Sequence, residues 1–446
     1  MNHYLRQIVG KLGHFYLTIR RGKAKISESR EVAAGESREV AAPSQDCPDA
    51  VEIVSRTALS QFETRVAEIC PYCKSSEFIK RGTRKKKFET VQLYECKKTD
   101  CGRTFTAQFV RGRHFPLVVI IEGLNYYNLG FGLEETCRLL SRKFKLDPGA
   151  ATLADWVSEY SDLCRYVRLR PFAIKMCKPR DTVEVVTLAH RQLYRFRYHR
   201  PKLKLMLEEY KHHRFTSLKE YLDGVASETP HQYFQEGLRI SEVRSKFDKA
   251  QMIIRGKTNY ANRLAEFVLP VVADNKDRHE QLQRFFIAND SVTVATEVPV
   301  YIRREDIEHM ENQLKFKILP RGEDNDEWYL EVKRVKEKLK GIPALLTGHI
   351  DFVQVRNGQI HLLDYKPNAA KEKPIEQLTW YALALSRLTG LRLFEFKCAW
   401  FDEKDYFEFY PLHVVHKLSE KKRAKRVKLK SGALVSIPRK NVLQVV

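Results

Sequence analysis

Residues 348–366, GHIDFVQVRNGQIHLLDYK, hold the side chains best suited to chemistry. Two alternating apolar runs flank Asn357-Gly358. Asn-Gly in that setting is the strongest short-range signal for a two-residue hairpin loop, because both loop positions need positive φ. With this loop, Arg356 faces Gln359, Val355 faces Ile360, and counting outward sets Asp351 directly opposite Asp364. Side chains alternate along a strand, so Val353, Val355, Ile360, Leu362 and Lys366 share the face of the two aspartates. Like charges directly opposite one another destabilise a sheet. A cation between them relieves the repulsion, and hard oxygen ligands favour Mg²⁺ or Mn²⁺. The hairpin reads as half of a divalent-metal site with Asp351 and Asp364 as ligands. The plain alternative is an exposed hairpin whose acids pair with Lys366.

A second set of ligand-type residues lies nearer the N-terminus. Of nine cysteines, four are paired as CPYC (Cys70, Cys73) and CKKTDC (Cys96, Cys101), and the other five are scattered. Two knuckles around a hairpin make a zinc ribbon, where four thiolates close a structural tetrahedral site. The pattern suits a reducing compartment with one metal site better than a disulfide framework. Between the pairs, Arg81, Arg84, Lys85, Lys86 and Lys87 read as an exposed loop suited to phosphate contacts, or else as a solvated charge run.

The elements that must position these residues follow from periodicity. The expected organisation is an N-terminal segment and linker over 1–66 with a duplicated ESREVAA, a zinc ribbon over 67–110 and three helices over 111–170. A basic, mostly helical connector covers 171–265, a mixed region 266–415 and a basic tail 416–446. Helix, short helix, turn and third helix fit a helix-turn-helix, and G-x-x-L-E-E-T…T-L-x-x-W-V resembles the DNA-binding ends of transposases. A generic three-helix packing module is the alternative. The connector run AHRQLYRFRYHRPKLK carries aromatics that could stack on a nucleic acid, or is a solvated link.

In 266–415 the order is helix, strand, acidic hairpin, helix, strand. With Gly348-His349-Ile350-Asp351, then Asp364-Tyr365-Lys366, then Gln377-x-x-x-Tyr381, the region resembles the PD-(D/E)xK nuclease superfamily, RecB-like branch. The resemblance implies a multidomain α+β chain ending in a restriction-endonuclease-like domain with a central mixed sheet. It implies metal held by Asp351, Asp364 and the Tyr365 carbonyl, with Lys366 acting on the attacking water. Gln377 and Tyr381, four apart on one helix face, orient phosphate or the lysine, or simply pack a polar helix edge. The family also draws a ligand from the first helix. His279 shares a stripe with Leu282 and Phe286, which favours it over the adjacent Glu280, and a packed histidine is the competing reading. Only Cys398 follows the nuclease motifs, so no iron–sulfur cluster is expected, and the absence of a Walker A motif leaves no nucleotide cofactor.

The formal charge is +23, from 79 Lys and Arg against 56 Asp and Glu, which points to a polyanion partner. No run of about 18 apolar residues and no secretory signal are seen, so no membrane partner is expected. The chain reads as cytoplasmic and nucleoid-associated, or nuclear, and not secreted. The expectation is a Mg²⁺- or Mn²⁺-dependent deoxyribonuclease with N-terminal DNA-binding modules, in a mobile-element or defence context. The alternatives are a DNA-binding regulator or transposition accessory with a non-catalytic nuclease fold, and a nuclease directed at RNA.

Overall fold

Asn357 and Gly358 have φ of 52° and 70°, the left-handed pair that a two-residue hairpin loop demands. The hairpin they close has the register read from the sequence: Ile360 pairs with Val355, Leu362 with Val353 and Leu363 with Phe352. The computed structural model describes residues 67, 69–88, 90–106, 114–190, 192–208, 212–228, 238–242, 247, 253–256, 259–272, 274, 277–312, 345–415, 424–428 and 434–438. The ESREVAA segment and most of the basic tail lie outside them. No helix among the described residues is long and apolar enough to cross a membrane.

Strands β1 (Phe78–Lys85), β2 (Thr90–Cys96) and β3 (Thr104–Thr106) form a small antiparallel sheet in that order. Helices α1 (Leu117–Asn128), α2 (Leu133–Phe144) and α3 (Ala150–Glu159) follow. Among the described residues the central sheet has nine strands. They are β4 (Val183–His190), β5 (Gln192–His199), β6 (Leu238–Arg239), β7 (Ile254–Gly256), β8 (Thr293–Arg303), β9 (Leu345–Arg356), β10 (Gln359–Tyr365), β11 (Phe396–Phe401) and β12 (Tyr406–Phe409). Eight run in the order β4-β5-β8-β9-β10-β11-β12-β7, and β6 pairs beside the start of β9. The β10–β11 and β6–β9 pairs are parallel; the others are antiparallel. The architecture is mixed α/β around a large mixed sheet.

Helices cover both faces. On one, α4 (Arg200–Glu208), α5 (Thr216–Glu228) and α8 (Ile375–Thr389) pack Leu203, Leu222 and Leu378 against Val298, Val353 and Leu362. On the other, α6 (Tyr260–Val268) and α7 (Arg278–Asn289) pack Leu264 and Phe286 against Phe352, Leu363 and Phe401. That second cluster also takes in Val119, Ile120 and Leu124 of α1 and Leu153 and Trp156 of α3.

Two expected boundaries are therefore corrected. The helices in 111–170 are not a separate module, because their apolar faces have α7 and the sheet as partners. The exposed positions of α3 are Ala151, Asp155, Ser158 and Glu159, a face with no cation and two acids, unlike a helix that enters a DNA groove. Nor is 171–265 a helical connector: it supplies four of the nine strands. Residues 266–415 alone lack both edge strands, β4 and β7, and the part of the cover that α4 and α5 supply.

Buried polar contacts fix α7. Glu122 of α1 accepts from Arg284 (2.6 Å) and from Lys143 of α2 (2.7 Å). Asn289 bonds Asn125 and Asn128, each at 2.6 Å. At the far end Lys202 of α4 is fully buried, and its ammonium donates to the carbonyls of Ile287 (2.7 Å), Asp290 (2.6 Å) and Thr293 (2.9 Å). A cation at a helix C-terminus also favours the helix dipole. Replacing Lys202 by Met keeps the apolar length and strands three acceptors. We expect a loss of about 3 kcal/mol in chemical denaturation, against about 0.5 kcal/mol or less for the exposed neighbour Lys204→Met.

Candidate metal sites

The CPYC knuckle is a tight turn in which Lys74, at φ 60°, donates its N–H to Cys70 O at 2.9 Å. The second knuckle closes with Cys101 N–H on Lys98 O at 2.9 Å. Tyr94, Phe105 and Phe78 pack edge or face on one another behind them. The four Sγ atoms all lie within 4.8 Å of one another, with Cys70–Cys101 at 3.8 Å and Cys73–Cys96 at 3.5 Å. A tetrahedral ion with metal–sulfur bonds of about 2.3 Å needs sulfurs about 3.8 Å apart. The quartet is a cluster able to hold a metal such as zinc. Burial raises the Cys70 thiol, but backbone N–H groups of Cys73 and Tyr72 outweigh it and bring it to about 7.

The basic residues differ in place from the exposed loop expected. Arg81, Arg84 and Lys85 lie within β1, and Lys86 and Lys87 in the turn that follows. Arg81 pairs with Glu95 at 3.4 Å. Phe88 meets Phe115, which meets Trp156 of α3, so aromatic contacts tie the small sheet to the helices.

The acidic site forms where the hairpin opens. His279, in the first turn of α7, sets Nδ1 3.1 Å from Asp351 Oδ2, and the same oxygen accepts the Tyr365 N–H at 3.2 Å. Lys366 Nζ is 3.0 Å from Asp364 Oδ2. The Lys366 backbone is held by its N–H on Phe401 O at 2.9 Å, so β11 places the lysine. The Tyr365 ring packs edge-on against His279. Glu280 turns the other way, bonding Arg195 and Arg197 at 2.8 Å each, which separates the two helix candidates. Gln377 Nε2 donates to Tyr381 OH at 2.8 Å, one turn apart on α8. Tyr381 lies over Gly348: a Cβ there would come 2.4 Å from its ring. Only glycine leaves that space, which accounts for the first letter of GHID.

Glu297 is the residue that the motif reading missed. Thr296 pairs with Phe352 and Val298 with Ile350, so Glu297 faces Asp351, and one further step along the register reaches Asp364. Three carboxylates thus form a row across β8, β9 and β10. Glu297 has φ 51°, a left-handed backbone that costs a non-glycine residue about 1–3 kcal/mol. The strand alternation slips here: Ile350 and Val353 both join the cluster under α8, while Phe352 joins the one under α7. Gln283 donates to Glu297 at 2.6 Å. The available signal was a lone charge inside the apolar run TVATEVPV.

The charges in this row fight one another. Burial raises Asp351, but protonated His279 outweighs it and holds it at about 2. Burial and the Asp351 charge raise Asp364 to about 8 and Glu297 to about 7. Burial lowers His279, yet Asp351 outweighs it and lifts the imidazole to about 9. Carboxylate oxygens suit a hard divalent ion and imidazole is a borderline ligand; Glu297, Asp351 and Asp364, with His279 beside them, are the candidate side chains. Among the described residues, the cysteine quartet is the one set of three or more His, Cys, Asp or Glu side chains with all ligand atoms within 4.8 Å; the acidic cluster is more open. Comparison of the chain with family models, curated proteins and solved structures returned no match.

Two outcomes follow. Elemental analysis of protein purified without chelator should find one zinc per chain, lost in Cys96→Ser; parent protein without zinc would rule the quartet out as a zinc site. Metal binding at the acidic row needs neutral His279 and ionised Asp364, so protons leave as the ion enters. Mn²⁺ affinity should therefore climb from pH 6 to 9, by up to about tenfold per pH unit for each proton displaced. His279→Ala should flatten the climb. Calorimetry giving a pH-independent parent affinity would contradict this.

Proposed function

We propose that the chain is a metal-dependent nuclease that hydrolyses phosphodiester bonds in DNA. The observation that carries the reading is the row Glu297–Asp351–Asp364, bounded by the His279 imidazole and the Lys366 ammonium. The element order supports it: α7, β8, the β9–β10 hairpin, α8 and a parallel β11 follow the helix-strand-hairpin-helix-strand order of the PD-(D/E)xK superfamily that the motif resembles.

A bound Mg²⁺ or Mn²⁺ supplies Lewis acidity to the scissile phosphate and lowers the pKa of a water. The chain's own groups do the rest. Asp351 and Asp364 would hold the ion, with Glu297 and His279 beside them as further candidate ligands. Lys366, which is 3.0 Å from Asp364, orients the attacking water and offsets charge on the phosphate oxygens. Tyr381, braced by Gln377, packs closely against Gly348 beside the site. Zn²⁺ is the ion we assign to the cysteine quartet, where its role is structural. The cations on β1 and its turn then offer a surface for duplex phosphates, a better one than the acidic face of α3.

Purified protein with Mn²⁺ should cut DNA, and EDTA should stop it. Asp364→Asn should fold at least as well as the parent, since a buried like-charge contact is relieved, yet cut at least about 10²-fold more slowly. Lys366→Ala should retain Mn²⁺ binding and cut as poorly. Parental cutting rates in Asp364→Asn would show that the row is not the active site, and a parent that cuts nothing with Mn²⁺ would end the nuclease reading and favour a DNA-binding regulator.

A further inference from the structure

Beside the acidic row, two rings from distant parts of the chain lie face to face. Tyr194 of β5 and His349 of β9 have centroids 3.7 Å apart and planes 6° from parallel. His349 is 8 % exposed, and Tyr194 is half-buried, partly packed against the core under α8, so Tyr194 is the more exposed of the two rings. His349 stands two residues before Asp351, about 7 Å along the strand. Pro299, its partner on β8, is two residues beyond Glu297. Arg239, Glu297 and Asp351 are the charges that act on the Tyr194 hydroxyl. Arg239 belongs to β6, paired with Thr347 of the same β9 segment.

An aromatic face, a guanidinium and a set of metal-ligating carboxylates thus meet in one place. A nucleotide offers the matching parts: a base with a π face, a phosphate, and a phosphodiester to be cut. We propose that Tyr194, backed by His349, is the floor on which an unpaired nucleobase stacks next to the scissile phosphate, with Arg239 at that nucleotide's own phosphate. The inference rests on the nuclease reading for the position of the scissile bond. It commits the substrate to single-stranded DNA or a frayed end. Within a duplex both faces of every base are covered by neighbours, so only an unpaired or terminal base can present one to a side chain. Base–aromatic stacking is worth about 1–3 kcal/mol per base and tolerates any sequence. His349 fixes the plane of Tyr194 in advance, which lowers the entropy lost on binding.

The test uses the full chain with Ca²⁺ in place of Mn²⁺ and a short single-stranded DNA carrying 2-aminopurine, whose fluorescence falls on stacking. The parent should bind and quench the probe. Tyr194→Ala and Tyr194→Leu should bind about tenfold more weakly and lose the quench; the leucine keeps an apolar side chain over His349 if the alanine variant does not fold. Tyr194→Phe should restore both signals. Affinity for a closed dumbbell duplex should be the same in all four proteins. Parental binding and quench in the leucine variant would overturn the proposal, as would an equal loss on the dumbbell. If the parent quenches the probe but cuts nothing with Mn²⁺, the nuclease reading fails and the stacking floor stands. If the parent cuts and Tyr194→Leu binds, quenches and cuts single strands like it, the floor fails and the nuclease reading stands.

Discussion

The placement of α7 governs the rest of the molecule. One side of it meets α1 through the buried Lys143–Glu122–Arg284 cluster and the three asparagines, and its C-terminus is tied down by Lys202. Burial raises the Glu122 carboxyl, but Arg284 and Lys143 outweigh it and hold it at about 2. A buried ionic cluster contributes little net stability relative to apolar packing, yet it tolerates only one alignment, since a slip leaves a charge unpaired. The first turn of the same helix brings His279 to Asp351. Alignment set along the helix thus fixes the His279–Asp351 contact at its first turn.

The sheet contributes a different constraint. Alternation would carry Glu297, Asp351 and their neighbours through the site in strict period two. Instead the left-handed backbone at Glu297 breaks the period where three acids converge. The site combines backbone strain with like-charge repulsion, both unfavourable in the absence of a ligand, and the apolar layers on either face are what can sustain it. Local strain of this kind persists where the surroundings over-determine the conformation.

The hairpin and the cysteine quartet were legible because each is specified locally, by the φ demands of Asn-Gly and by ligand spacing. The strands β4 and β5 were not. In QLYRFRYH the arginines sit at alternate positions, and a basic, aromatic run reads as solvated. Arg195 and Arg197 in fact turn to Glu280, while Phe196 and Tyr198 fill the opposite face; the polar half of the alternation is satisfied by a carboxylate some eighty positions away. Glu297 escaped notice for the same reason, since its partner in the row is set by the β8–β9 register across a long insert. The helices α1 to α3 were read correctly as helices, but amphipathicity says only that a face is buried, not against what.

The shared core of α1, α3, α7 and the sheet also sets an order of events during synthesis. Val119, Ile120 and Leu124 leave the ribosome early, whereas Phe286, Phe352 and Phe401, which cover them, come from the far half of the chain. At about 5–20 residues per second, some tens of seconds separate them. Through that interval the part of α1 that meets α7 and the sheet lacks its partners, while Leu140, Leu153 and Trp156 of α2 and α3 are already made and can cover the rest.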